Sequence, residues 1–364
     1  MNQRVPVAVI GAGHMGRHHI RKYAQMPTAR LVAVIDADVQ RARAAAEPLG
    51  AKYAAVLTPE LGDVAAASVA VPTVHHLAVA APLIERGIAV LIEKPLAPNL
   101  SEGQRIADLA RRHGTIVAVG HTERFNPAVR AVERLGVRPK FIETHRISPF
   151  TFRSADVGVV FDMMIHDIDI LLHLVKDEVA SVDAVGVNVL ARHEDIANAR
   201  VRFSRGAVAN LTASRLALKT ERKLRAFAEN AYVSLDYQKK VGVAITLDQN
   251  ADVLKFARER NIADLSQMAG VDFGKLVHVE PLTIKERDAL ADELETFVEC
   301  VRLRQRPPVS AEDGVAAVRL AEQIVASIES HRWDGDAGTR QGLSADIVGR
   351  QVSVVKQQGN KVTR

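Results

Sequence analysis

The stretch VPVAVIGAGHMG, residues 5–16, decides the fold. Its first half is a run of β-branched and small apolar residues, the composition of a strand buried on both faces. Its second half places Gly11, Gly13 and Gly16 in the pattern G-x-G-x-x-G, with His14 and Met15 before the last glycine. HMGRHHIRKYAQM (14–26) then reads as a helix. A glycine triplet alone marks only a tight turn. Between a strand and a helix it has a further use. Gly11 permits the turn, Gly13 lets the backbone approach a pyrophosphate, and Gly16 lets helix and strand pack closely. The helix N-terminus offers free N–H groups to the phosphates. RLVAVID (30–36) is a second strand and ends on Asp36, 20 residues after Gly16. An acid at that place binds the adenine-ribose hydroxyls of a dinucleotide. Its charge repels a 2′-phosphate, which favours NAD over NADP; Arg41 and Arg43 lie close enough in sequence to qualify that choice.

Working outward, the same rhythm repeats. QRARAAAEPLG (40–50) is helical, and AASVAVP (66–72), IAVLIEKP (88–95) and TIVAVGH (115–121) are further strands with helical stretches between them. Alternating strands and helices predict a doubly wound parallel sheet in an α/β, Rossmann-type domain over about residues 1–122. After 122 the pattern changes. A helix at 127–135 and a strand at KFIETHRI (140–147) precede a polar-striped helix near 162–173. Strand-like runs follow at 179–189, 199–214, 223–237 and 241–247, with SRG (204–206) and EN (229–230) as hairpin turns. This predicts a C-terminal α+β domain with an open, mostly antiparallel sheet over 123–333. RDALADELETFVECVRL (287–303) aligns Leu290, Leu294, Phe297, Val298 and Val301 on one helical face. Ser310 is an N-cap for the next helix, with Asp313 at capping-box distance. Residues 334–364 are polar and glycine-bearing, and are expected to be a loosely held tail.

Composition narrows the classes. The 364 residues are 48% hydrophobic and 25% charged, enough for more than one core. A single cysteine, Cys300, precludes a disulfide within the chain and fits a reducing compartment. The apolar run at the N-terminus is too short for a signal peptide, and no segment approaches a membrane span; a cytoplasmic protein is expected. The net charge of +5 suits an anionic ligand, but aromatics at 4% and a scattered basic stretch at 200–225 argue against nucleic acid.

DMMIHDIDILLH (162–173) is mostly apolar, yet Asp162, His166, Asp169 and His173 recur at steps of four, three and four. That spacing is one face of an α-helix. An Asp–His pair on such a helix is often a satisfied buried pair. It is also the arrangement of an acid–base site. Asp162 can hold the tautomer of His166 one turn later, and an imidazole titrates near working pH. Asp169 and His173 read more simply as structural. A metal on the stripe is geometrically possible, because i,i+4 residues share a face; the expectation is no metal.

Glu93-Lys94-Pro95, after GAGHMG (11–16) and AVPTVHH (70–76), resembles the Gfo/Idh/MocA family of sugar and cyclitol dehydrogenases. VGHTERFNPAV (119–129) is similar to that family's domain junction, DMMIHDID to its catalytic helix, and RPPVSAEDGVAAVRLAEQIVAS (306–327) to its closing segment. The wording of GHTERFNP with DVGVVFDMMIHDIDIL is similar to a narrower branch, the UDP-N-acetylglucosamine 3-dehydrogenases. These oxidise the sugar 3-hydroxyl on the way to the 2,3-diamino sugars of lipid A.

The resemblance implies roles. Lys94 sits beside the reacting carbon and the nicotinamide, and Glu93 helps place the nicotinamide ribose. Pro72 and His76 line the cofactor groove. Asp162 and His166 complete a Lys–Asp–His catalytic set. It also implies a homodimer or homotetramer closed over the open sheet face, a nucleotide-sugar substrate, and a downstream aminotransferase as a functional partner.

The chemistry stands without the family. Oxidising a secondary alcohol needs a hydride acceptor, which NAD supplies, and a group to take the hydroxyl proton. His166 suits the second role, and an ammonium at Lys94 would favour the developing alkoxide. A lysine of depressed pKa could itself be the base. His121, Arg124 and Asn126 follow the last Rossmann strand, where ligands of such sheets bind, and are candidate substrate contacts. Arg153, with His145, is a weaker candidate for a diphosphate. The alternatives are an inositol, aldose or other UDP-sugar as substrate, or a non-catalytic NAD-binding sensor, which would not need Lys94, Asp162 and His166 together.

Overall fold

The computed structural model describes residues 4–58, 62–151, 157–247, 277–282, 287–333 and 336–337. The chain forms two compact units. One comprises Met1–Asn126, Val160–Leu172 and Glu286–Ala326; the other comprises Pro127–Val159, His173–Lys285 and Ser327–Arg364. This division differs from a single cut after residue 122. Segments from the middle and the end of the chain return to complete the first unit.

The first unit holds a six-stranded sheet of β1 (Val5–Ile10), β2 (Ala29–Ile35), β3 (Lys52–Ala54), β4 (Ala66–Val69), β5 (Ala89–Glu93) and β6 (Val117–Gly120). Its order is β3-β2-β1-β4-β5-β6 and every pairing is parallel. The helices are α1 (His14–Gln25), α2 (Val39–Ala46), α3 (His76–Glu85) and α4 (Leu100–His113). Alternate strand residues face opposite ways, so each strand feeds two cores. Ala8, Ile10, Val69, Val90, Ile92 and Val119 join Leu83, Ile84, Ile106 and Val318 on one face. Val7, Val9, Val34, Leu91 and Ala118 join Ile20, Tyr23, Leu294, Phe297 and Val298 on the other. Burial on both faces explains why these strands read as continuous apolar runs.

The second unit contains α5 (Pro127–Arg134) and an eight-stranded sheet. Its strands are β7 (Phe141–Ile147), β8 (Val179–Val187), β9 (Ile196–Phe203), β10 (Val208–Ser214), β11 (Glu221–Phe227), β12 (Ala231–Asp236), β13 (Val241–Leu247) and β14 (Val277–Pro281). The order is β14-β13-β12-β11-β7-β10-β9-β8. All pairs are antiparallel except β7 with β10. The expected turns at SRG and EN join β9 to β10 and β11 to β12. One face is apolar, with Ile142, Val201, Leu211, Leu224 and Leu235 buried.

The polar-striped helix is in two parts. Val160–Met164 is one π-helical turn, and α6 (Ile165–Val175) continues from it. Two helices follow, α7 (Ala289–Leu303) and α8 (Ala311–Ser330). The capping box forms: Ser310 Oγ donates to Asp313 Oδ2 at 2.9 Å, and the Ser310 N–H donates to the same oxygen at 2.8 Å. Val309 O accepts from the Val119 N–H at 3.1 Å, so the stretch before α8 covers the outer edge of β6. Among the described residues no helix is long and apolar enough to cross a membrane. Arg153 and most of the expected tail at 334–364 lie outside the described residues.

Candidate active site

The glycine turn is built as its spacing predicts. Gly11 has φ +97°, and a Cβ there would lie 2.4 Å from the Ala70 carbonyl oxygen. A Cβ on Gly16 would fall 1.7 Å from Gly11 O, so only glycine allows α1 to approach β1 this closely. A Cβ on Gly13 would meet nothing within 4 Å. Gly13 therefore faces open space at the N-terminus of α1, which has no side-chain cap and no acid in its first turn. Its N–H groups are available to an anion. Met15 is exposed beside them. Asp36 directly follows the neighbouring strand β2 and is 9% exposed. Its Oδ2 accepts from the Ala12 N–H at 2.8 Å and its Oδ1 from the Asp38 N–H at 2.9 Å. Arg41 reaches Oδ1 at 3.4 Å. A phosphate cradle of bare N–H groups with a fixed carboxylate one strand away fits an NAD diphosphate and adenine ribose.

Lys94 follows the last residue of β5, at the carboxyl end of the parallel sheet, where α/β folds of this kind bind ligands. The Lys94–Pro95 peptide is cis. Lys94 Nζ donates to the backbone carbonyl of Asp162 at 2.6 Å and lies 3.5 Å from its Oδ1. The π-turn thus offers Lys94 both a carbonyl and a carboxylate. A π-turn widens the helix and often marks a functional position. His166 lies four residues on, at the start of α6, and is half-buried.

The rest of the stripe goes elsewhere. Asp169 is buried and accepts from Arg124 Nε at 2.7 Å. His173 belongs to the second unit and pairs with Glu133. The helical face read from the sequence is therefore divided between separate partners.

The remaining candidates are placed as follows. Glu93 is buried, with Oε1 2.8 Å from His19 Nε2. Burial works against its ionisation, but His19 and the Lys94 charge and N–H outweigh that and hold its carboxyl below the usual range. His76 is buried. Its Nδ1 lies 3.1 Å from Pro95 O and its Nε2 3.1 Å from Val71 O. It braces the segment after Lys94, and burial lowers its pKa despite those contacts. Pro72 is exposed at the entry to α3. His121 is 1% exposed, and burial lowers its pKa. Arg124 is 6% exposed and sits between Asp169 and, at 3.7 Å, Asp313, so its charge is met inside the unit. Asn126 donates to Glu123 at 2.8 Å. In the second unit His145 lies between Glu143 and Glu221, at 3.6 and 3.7 Å.

Among the buried polar residues that the sequence reading does not single out are His19 on α1 and Glu293 on α7. Glu293 is three residues after Leu290 and four before Phe297, so helical spacing alone sets it on the inward face.

Comparison with known proteins follows the same lines. The model of the Gfo/Idh/MocA oxidoreductase family, NAD-binding Rossmann fold, matches residues 5–121, and that of the Gfo/Idh/MocA C-terminal domain matches 136–234. UDP-N-acetylglucosamine 3-dehydrogenase of Acidithiobacillus ferrooxidans is 32% identical over 326 residues, covering 88% of this chain and 96% of that protein. A solved structure of that enzyme, GnnA, superposes with a TM-score of 0.78 at 30% identity, over 90% of this chain and 98% of that one. Myo-inositol 2-dehydrogenase of Thermotoga maritima is 26% identical, over 90% of this chain and 97% of that protein.

Proposed function

The chain belongs to the Gfo/Idh/MocA family of NAD-binding oxidoreductases, and on that footing we propose that it oxidises the 3-hydroxyl of UDP-N-acetylglucosamine to a ketone. The dehydrogenase chemistry is the family's. The substrate is our reading, and so is its place on a route to 2,3-diamino sugars of lipid A. That reading is supported by the 32% identical relative, which spans nearly the whole chain. The observation that carries the catalytic assignment is the Lys94–Asp162 contact at the carboxyl end of β5, four residues before His166.

Bound NAD supplies the hydride acceptor. The chain's own residues do the rest. The free N–H groups of α1 hold the diphosphate, and Asp36 selects a ribose without a 2′-phosphate. Lys94 and His166 are the two groups for the hydroxyl proton. A positive charge on Lys94 stabilises the alkoxide that develops as the hydroxyl proton leaves, and loss of the hydride from that carbon then gives the ketone. Asp162 orients Lys94 and sets its reach.

We further propose a homo-oligomer closed over the open face of the eight-stranded sheet. On that face Phe141, Phe227 and Tyr232 cluster with ring centroids 5.7 and 4.9 Å apart. Light scattering on the purified protein measures its mass directly. A downstream aminotransferase acting on the ketone completes the proposed sequence.

The deciding experiment follows NADH absorbance with NAD+ and UDP-N-acetylglucosamine, beside myo-inositol and free hexoses, with a carbonyl trap to draw the reaction forward. Turnover with the nucleotide sugar alone supports the proposal. Turnover with inositol alone replaces the substrate and keeps the chemistry. NAD binding with no turnover on any substrate favours a sensor.

A further inference from the structure

Polar atoms without partners gather in one place inside the first unit. Glu293, on α7, is 2% exposed. Its Oε2 accepts from Thr122 Oγ1 at 3.0 Å, while its Oε1 has no hydrogen-bond partner among the described residues. No cation pairs with it among them either. Both ring nitrogens of His121, next to Thr122, also lack partners there. Glu93 folds over the residue before His121: a Cβ on Gly120 would lie 3.1 Å from the Glu93 carboxyl carbon. Two carboxyl groups thus meet the same short turn, one packed on Gly120 and one bonded to Thr122. Glu93 has His19 at 2.8 Å to balance its charge. Glu293 has only a hydroxyl. The other titratable groups facing this pocket are Tyr23 on α1, whose hydroxyl is engaged by Ser68, and Lys94 after β5. Arg124 and Asp169 complete the set and pair with each other.

An unpaired carboxylate in such a place is costly, and protonation removes the cost. We propose that Glu293 is a positioning residue of the active site: a buried acid held neutral at the Gly120–Thr122 turn, leaving Glu93, the residue before Lys94, as the one carboxylate charge on that turn. This rests on the catalytic reading of Lys94 given above. Burial and the nearby Glu93 charge both push the Glu293 pKa well above its ordinary value, while Glu93 is held below its own. Two carboxyls driven apart in this way mark an acid and its conjugate partner in many active sites. If Glu293 ionised, a second negative charge would fall beside Glu93 and change the field that Glu93 presents to Lys94.

The test compares the wild type with Glu293→Gln and Glu293→Leu. Infrared spectroscopy at neutral pH should show the carbonyl stretch of a protonated carboxylic acid in the wild type and its loss in Glu293→Gln. Melting temperature against pH gives a second, substrate-free reading. The folded state holds this proton more tightly than the unfolded chain. Its stabilisation is therefore full below the ordinary glutamate value of about 4.3 and is lost as pH rises towards the folded value. The wild type should lose melting temperature over that rise relative to Glu293→Gln. In turnover, Glu293→Leu should lower kcat about tenfold or more with KM for NAD little changed, and Glu293→Gln should restore most of it and move the alkaline limb of the pH profile upward. An unchanged infrared band, parallel melting curves, or Glu293→Gln as impaired as Glu293→Leu would overturn the proposal. The infrared and melting results stand whether or not any sugar is turned over, so they fail separately from the substrate assignment.

Discussion

Lys94 is held by Asp162 through two kinds of oxygen, a backbone carbonyl at 2.6 Å and a carboxylate at 3.5 Å. The carbonyl contact fixes where Nζ lies, and the carboxylate contributes charge. Lys94→Met keeps the apolar stem and removes both. It should lower kcat about a thousandfold while the Kd for NADH moves by no more than a few-fold. Stopped-flow turnover beside NADH fluorescence titration makes the comparison. A matching loss of cofactor affinity would place Lys94 in binding instead of chemistry.

The glycine turn separates packing from recognition. Gly16→Ala puts a Cβ 1.7 Å from a carbonyl oxygen and should destabilise the fold by about 2 kcal/mol or more. Gly13→Ala meets no atom within 4 Å among the described residues beyond its chain neighbours. It should melt like the wild type and lose NAD affinity at least tenfold, because the methyl group occupies the approach of the diphosphate. Calorimetry with and without NAD distinguishes the two.

Arg124 and Asp169 form a buried pair at 2.7 Å, with side chains 5% and 2% exposed. Removing either partner leaves a buried charge uncompensated, at a cost of about 3–5 kcal/mol. Urea melts of Arg124→Met, Asp169→Leu and the double variant should show the double costing clearly less than the sum. Additive losses would mean that the two charges do not depend on each other.

Asp195, in the second unit, sets an acid limit. It is fully buried, with the Arg215 guanidinium 2.6 Å from one oxygen and the N–H groups of Val189, Leu190 and Ala191 on the other. Burial opposes its charge, but those donors outweigh burial and lower its pKa. The folded value lies below the unfolded one. The stabilisation is therefore present above about pH 4 and lost as pH falls through the folded value. Asp195→Asn should cost about 3 kcal/mol at neutral pH and progressively less in acid, read from melting temperatures across the range.

What could be read from the sequence was local. Gly11, Gly13, Gly16 and Asp36 sit within one βαβ span, and their roles follow from turn and helix geometry. The hairpins at SRG and EN are two-strand events fixed by their turn residues. The pairing of β7 with β10, parallel inside an antiparallel sheet, depends on strands 60 residues apart and leaves no periodic mark. The helical stripe was legible as spacing, with Asp169 and His173 read as structural. Its spacing assumed a regular α-helix, whereas Val160–Met164 is a π-turn, which periodicity alone does not announce. Glu293 is a different case: helical spacing sets it on the inward face of α7, and its charge is what makes it read as surface until its neighbours are known.

The first unit is discontinuous, and this bears on its synthesis. α7 and α8 contribute Phe297, Leu294 and Val318 to cores built on strands made some two hundred residues earlier. On a translating ribosome the nucleotide-binding strands emerge long before these helices. Until then each face of the sheet lacks part of its cover. A nascent chain stalled before residue 300 should therefore be the species that chaperones engage, and its protection from protease should appear only once α8 has left the exit tunnel.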